Sequence, residues 1–169
     1  MKTLLINAHP DFNNKTSYSA YLQEKFLNKY RAQFPHEDLT VLNLYEETIP
    51  RIEQDELLGI WQKQADNLPL TESEASLAKQ SQALLEQFKA HHRIVIVSPL
   101  HNFNVTSRMK DYIDNILIAR ETFRYTESGS VGLMSNDYQV LLLLASASIY
   151  TNQDRYTYLD FAPNYIRGI

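Results

Sequence analysis

The residues best suited to chemistry lie in three short stretches. Ser98-Pro99-Leu100-His101-Asn102-Phe103-Asn104-Val105 follows the apolar run Ile94-Val95-Ile96-Val97 and precedes a helical pattern from Met109 to Ala119. Pro99 stiffens this octapeptide, leaving the amides of His101, Asn102 and Phe103 to point outward. Asn102 offers both a donor and an acceptor, and Phe103 a flat apolar face. That set suits the edge of a heteroaromatic ring with alternating N–H and C=O groups. The plainer alternative is a strand-to-helix turn with Phe103 in the core.

The second stretch holds His9, Asn13, Asn14, Lys15, Thr16, Ser17 and Ser19 ahead of a helical pattern. Free amides and the positive end of the helix dipole make a natural phosphate seat. Hydroxyls of Thr16 and Ser17 add donors, and His9 or Lys15 a charge. An ordinary capped helix with a polar lead-in reads the same way. The third stretch, Ala145-Ser146-Ala147-Ser148-Ile149-Tyr150, combines small residues with a tyrosine. Small side chains allow a ligand close to the backbone. Phe123-Arg124-Tyr125-Thr126 places large aromatics in a loop, as pockets and interfaces do. His91-His92 points apart and lacks a third neighbour, so a helix C-terminus explains it better than a metal.

Composition narrows the classes. The chain has 169 residues, 44% apolar and 21% charged, with net charge -4. This describes one folded domain over 1–169. The charge argues against nucleic acid or an anionic membrane as the main partner. Cysteine is absent, which excludes disulfides, thiolate metal sites and thiol nucleophiles. No run reaches membrane-spanning length, and the N-terminal apolar run is too short for a secretion signal, so a cytoplasmic protein is expected. Only four glycines occur, and neither glycine-rich nucleotide motif exists.

The positioning elements alternate. Short strands are expected at Thr3–Asn7, Leu39–Leu44, Arg93–Val97 and Gln139–Ala145. Helices are expected from Thr16, over Thr71–Ala90 with Thr71-Glu72-Ser73-Glu74 as a capping box, over Thr106–Ala119, and in part of Asn152–Ile169. Leu57, Leu58, Ile60 and Trp61 suggest a short helix in an excursion after the second strand. Glu121–Asn136 reads as an irregular loop. A β-α-β-α order implies a parallel α/β sheet with helices on both faces. The three chemical stretches then share one edge, where open sheets bind ligands.

Three pieces carry a resemblance. They are Asn7-Ala8-His9-Pro10 with Lys15-Thr16-Ser17-Tyr18-Ser19; Pro99-Leu100-His101-Asn102-Phe103-Asn104-Val105 with Lys110 and Asp114; and Thr122-Phe123-Arg124-Tyr125-Thr126-Glu127 with Gly129 and Gly132-Leu133. Together they resemble the flavodoxin-like NAD(P)H-dependent quinone and azo reductases, most closely the FMN-dependent NADH-azoreductases. The likeness runs over essentially the whole chain. It implies a three-layer flavodoxin-like sandwich with strand order 2-1-3-4-5, FMN at the switch point, and a homodimer with sites at the interface. On this pattern His9, Lys15, Thr16 and Ser17 hold the phosphate. Pro99, Leu100, His101, Asn102 and Phe103 read the ring edge, and Ala145, Ser146, Ala147 and Ser148 reach its pyrimidine end. Asn102, Phe103 and Tyr125 line the reaction space, with Phe103 and Tyr125 as stacking walls and Trp61 arriving from the partner chain. The implied reaction is two-electron, ping-pong hydride transfer from NADH or NADPH to a small aromatic acceptor, a quinone or azo compound.

Two departures from the pattern matter. Ala-Ser-Ala-Ser stands where the family commonly has a Gly-Gly-containing loop, so Ala147 or Ser148 would be strained if a positive φ is needed there. The family's fifth strand and last helix are not reached before Ile169, so the expectation is either a truncated chain or a fourth strand left at the sheet edge. These departures motivate one alternative, a catalytically degenerate binding or regulatory protein of the same fold. A quinone reductase of the FAD-using diaphorase type is a further option, less favoured by the Phe-Arg-Tyr-Thr loop.

Overall fold

The computed structural model describes residues 1–134 and 136–169. Strand β1 (Thr3–Asn7) is buried along its whole length, as a central strand covered on both faces must be. Helix α1 (Tyr18–Gln33) follows, capped by Ser17, then β2 (Leu39–Asn43). An excursion holds a π-turn at Gln54–Leu58 and the short helix α2 (Gly59–Ala65). Helix α3 (Glu72–Lys89) carries the expected capping box: Thr71 caps the Glu74 amide, and the Glu74 carboxylate accepts the Thr71 N–H at 2.8 Å. Strand β3 (Arg93–Pro99) and helix α4 (Ser107–Ile116) come next. Strand β6 (Gln139–Ala145) and helix α5 (Phe161–Gly168) complete the described elements, after a hairpin of β4 (Phe123–Thr126) and β5 (Gly129–Gly132). Pro163 sits in the first turn of α5, where a missing N–H costs no helical bond.

That hairpin corrects the expected irregular loop at Glu121–Asn136, of which Ser135 lies outside the described residues. Phe123 pairs with Gly132 and Thr126 with Gly129 in antiparallel register. Its strands are largely exposed, so no alternation of buried and exposed residues marks them.

The main sheet is parallel, in the order β2-β1-β3-β6. Leu4, Ile6, Ile94 and Ile96 face α3 and α4, where they meet Leu84, Met109, Tyr112 and Ile113. Leu5, Val95 and Val97 face the other way, against Phe26 and Leu27 of α1. The result is three layers, each fully buried Leu or Ile side chain contributing about 1.5–3 kcal/mol. Tyr18 and Tyr21 of α1 are exposed. Among the described residues β6 is an edge strand: Val140 and Leu141 remain exposed, whereas Leu142 and Leu143 pack inward on opposite faces. No helix is long and apolar enough to cross a membrane among the described residues.

The excursion is tied down by polar contacts. Asn115, fully buried, donates to the Pro50 and Asp111 carbonyls at 2.7 and 2.8 Å. Lys63 of α2 reaches both carboxylate oxygens of Glu74 on α3, at 2.7 and 2.8 Å. Together these fix α2 beside α3.

Candidate functional site

Backbone bonds lock the C-terminal ends of the strands together. The Leu44 N–H donates to the Asn7 carbonyl at 3.0 Å, Ala8 to Val97 at 2.8 Å, and Leu100 to Ala145 at 2.7 Å. From this edge rise the three stretches singled out in the sequence.

The loop after β1 is organised by Asn14. Its Oδ1 accepts both the amide and the hydroxyl of Thr16, at 2.9 and 2.8 Å. Its carbonyl accepts the Ser17 hydroxyl at 3.3 Å, and Ser17 Oγ in turn accepts the Ala20 amide at 3.1 Å. The hydroxyls expected to face a ligand are thus engaged in holding the loop. The amides of Ser17 and Tyr18, at the start of α1, have no partner among the described residues. His9 Nδ1 accepts the Asp11 amide at 3.1 Å, so in the neutral ring Nε2 carries the proton and stays a donor. His9, Lys15 and Ser17 line one cleft of about 200 Å³.

The turn after β3 is strained. His101 and Asn104 exchange backbone hydrogen bonds at 2.9 and 3.0 Å. Between them Asn102 has φ 46° and Phe103 φ 69°. Asparagine tolerates the left-handed region, but a bulky aromatic is an outlier there. Such strain concentrates at ligand-holding sites. Because the His101 amide is bonded to Asn104, the expectation of three free amides is corrected to two, Asn102 and Phe103. The Phe103 ring is partly exposed and meets Tyr150 edge-on, with centroids 6.5 Å apart. Tyr150 meets Tyr156 in the same way at 5.9 Å, and the Phe161 amide donates to the Phe103 carbonyl at 3.2 Å. The sequence reading missed Tyr156 and Phe161; they lie far along the chain, and only tertiary folding brings them here.

The third loop differs from the expectation of strain. Neither Ala147 nor Ser148 has a positive φ. The Ser146 hydroxyl donates to the Ser148 carbonyl at 2.9 Å, and the amides of Ser146, Ala147 and Ser148 are unpaired among the described residues. A turn without glycine therefore still presents consecutive donors, a ready seat for an anion or for ring carbonyls.

Tyr125 does not join Phe103 within one chain. Phe103 precedes α4 and Tyr125 follows it, and a helix of ten residues spans roughly 15 Å. Glu121, beside the hairpin, is bonded to Lys89 at 2.9 Å, at the opposite edge of the sheet. Tyr125 instead lines a cavity with Trp61 of the same chain. His91 and His92 are also at that far edge. His91 bonds the Gln87 carbonyl at 2.6 Å and Thr40 at 3.2 Å, while His92 stacks on Tyr138 and contacts Asp137 at 2.5 Å.

A family model described as a flavodoxin-like fold matches residues 1–169. The chain belongs to this flavodoxin-like family. Within that family it is similar to FMN-dependent NADH:quinone oxidoreductase 1 of Lactiplantibacillus plantarum, 58% identical over 98% of this chain and 77% of that protein. The FMN-dependent NADH:quinone oxidoreductase of Streptococcus agalactiae is 53% identical over 100% of this chain and 79% of the relative. Among solved structures, an FMN-dependent NADH-azoreductase from Bacillus anthracis in complex with FMN superposes with a TM-score of 0.94 at 42% identity, covering 99% of this chain and 79% of that one. The sheet order observed here is of the kind in which open sheets bind ligands at a topological switch point, beyond the C-terminal ends of the strands.

Proposed function

We propose that the protein is an FMN-dependent NADH:quinone oxidoreductase that also reduces azo compounds. The observation that carries this reading is the set of unpaired amides on one sheet edge: Ser17 and Tyr18, Asn102 and Phe103, and Ser146 to Ser148. They suit a ligand with a phosphate at one end and a hydrogen-bonding ring at the other, and the named relatives support FMN.

The residues divide the work. Ser17 and Tyr18 amides, the α1 dipole, His9 and Lys15 hold the phosphate. Thr16 acts through Asn14, shaping the loop. Pro99, Leu100 and His101 set the turn; Asn102 hydrogen-bonds the ring edge, and Phe103 covers one face. The amides of Ser146, Ala147 and Ser148, next to Ala145, stabilise negative charge on the ring. The chemistry FMN supplies when bound is two-electron hydride transfer, from NADH and then to the acceptor. The protein orients the stacked rings and excludes water from between them.

A ring acceptor held between Phe103 and Tyr125 requires two copies of the chain, because one chain keeps these residues at opposite ends of α4. We therefore read the working form as a homodimer, located in the cytoplasm, built from a single domain over 1–169.

The purified protein should be yellow, and NADH added without oxygen should bleach it. Heat-released flavin should run as FMN on chromatography. A colourless protein that fails to take up added FMN would overturn the reading. Light scattering during gel filtration should give twice the monomer mass.

A further inference from the structure

Phe103 holds a left-handed φ of 69°, a conformation that is costly for a bulky side chain. A residue of this kind keeps its geometry only where the surroundings over-determine it. The backbone supplies part of that constraint. His101 and Asn104 close the turn, and the Phe161 amide donates to the Phe103 carbonyl at 3.2 Å. None of these bonds touches the Phe103 ring, which is the part that a stacked ligand meets.

The ring is braced from the segment between β6 and α5. Tyr150 meets it at 72° between planes, with centroids 6.5 Å apart. Tyr156 meets Tyr150 at 79° and 5.9 Å. Both are edge-to-face geometries, in which the positive edge of one ring lies against the negative face of the next. The ladder ends on Arg155, whose guanidinium lies 4.9 Å from the Tyr156 ring centre and donates to the Tyr156 hydroxyl at 3.1 Å.

Tyr156 is itself pinned. Its amide donates to the Asp154 carboxylate at 2.8 Å. Its carbonyl accepts the Leu159 amide at 2.9 Å, in the 3-10 turn Thr157–Leu159 that leads into α5. Tyr150 is half-buried although its neighbours Ile149 and Thr151 are exposed. The Tyr150 hydroxyl has no hydrogen bond among the described residues, so its ring alone makes the contact.

We propose that Tyr150 is a positioning residue: it fixes the orientation of the Phe103 ring, and through that ring the face of the flavin. The role rests on the reading of Phe103 as the residue that covers the flavin, and Tyr150 acts only through Phe103. A displaced stacking wall costs binding and turnover even where no polar contact is lost.

Two double-substitution cycles test this. In flavin-free protein, Tyr150→Leu and Phe103→Gly should be non-additive in denaturant unfolding, with a coupling of about twofold to tenfold in the folding equilibrium constant. In flavin titrations, Tyr150→Leu should weaken FMN and riboflavin to the same degree, since the ring and not the phosphate is affected. The same substitution should change neither affinity in a Phe103→Gly background. Tyr150→Phe keeps the ring and should restore both affinities. The visible circular dichroism of bound flavin should shift in Tyr150→Leu and return in Tyr150→Phe, a signature that lost stability alone does not produce. Additive unfolding effects, or unchanged flavin affinity in Tyr150→Leu, would overturn the proposal. A loss of affinity that persists in Phe103→Gly would also overturn it, because Tyr150 would then act on the flavin directly. If the native protein takes up neither flavin, the flavin reading falls, while the unfolding cycle still decides whether Tyr150 holds Phe103.

Discussion

Thr106 donates its hydroxyl to the carbonyl of Ala8 across a buried 3.0 Å contact. The start of α4 is thereby tied to the loop after β1. This explains why Thr106, in the N-cap position of α4, makes no capping hydrogen bond: its side chain serves the other loop. The turn after β3 and the loop after β1 are held in one frame by this bond.

Removing that tie should weaken both fold and site. Thr106→Val leaves the Ala8 carbonyl without this partner, a loss of about 1–3 kcal/mol. Thermal unfolding should register the loss, and FMN titration should show weaker binding. Thr106→Ser, which keeps the hydroxyl, should restore most of each.

Phe103 allows strain and contact to be separated. Alanine at φ 69° retains the left-handed penalty, whereas glycine escapes it. Phe103→Gly should therefore be more stable than Phe103→Ala by about 1 kcal/mol in denaturant unfolding. Both should lose turnover to a similar degree, since both lack the ring. Equal stabilities would mean that the turn relaxes when the ring is gone.

Asn14 should matter to the phosphate and not to the ring. Asn14→Ala releases the amide and hydroxyl of Thr16 and loosens the loop before α1. FMN affinity should fall about tenfold, while riboflavin affinity should stay unchanged. A comparable drop for riboflavin would place the effect elsewhere.

How far these features could be read from sequence follows the range of the forces involved. Strands β1 and β3 are legible because Leu4 to Ile6 and Ile94 to Val97 are apolar on both faces. The Thr71–Glu74 box is legible because its bonds span three residues. The hairpin at Phe123–Gly132 is not, since its exposed strands show no buried face. The αL turn at Asn102 and Phe103 is hidden for a different reason: no glycine flags it, although the His101–Asn104 backbone bonds close it and contacts through Leu100 and Phe161 flank it. The separation of Phe103 from Tyr125 is likewise a matter of helix length and chain direction, which motif spacing alone does not convey.

Acid should act through Glu74. The Lys63 ammonium, and next the Thr71 amide, hold its carboxyl down from an ordinary 4.5 to about 2. A carboxyl with a lowered folded value adds stability above the unfolded value and loses it as pH falls through the folded one. That contribution should be complete above about pH 4.5 and vanish progressively toward pH 2. Unfolding midpoints measured across this window should fall more steeply for the native protein than for Glu74→Gln.

The scarcity of glycine at the site has a thermodynamic side. Asn102 and Phe103 occupy left-handed positions that glycine commonly fills, yet each roams less widely than glycine in the unfolded chain. Less backbone freedom is surrendered when such curves set. Folding, rather than any ligand, thus bears the ordering of this turn. The cost is tolerance: at φ 69°, no side chain other than glycine relieves the backbone of the tension that Phe103 carries.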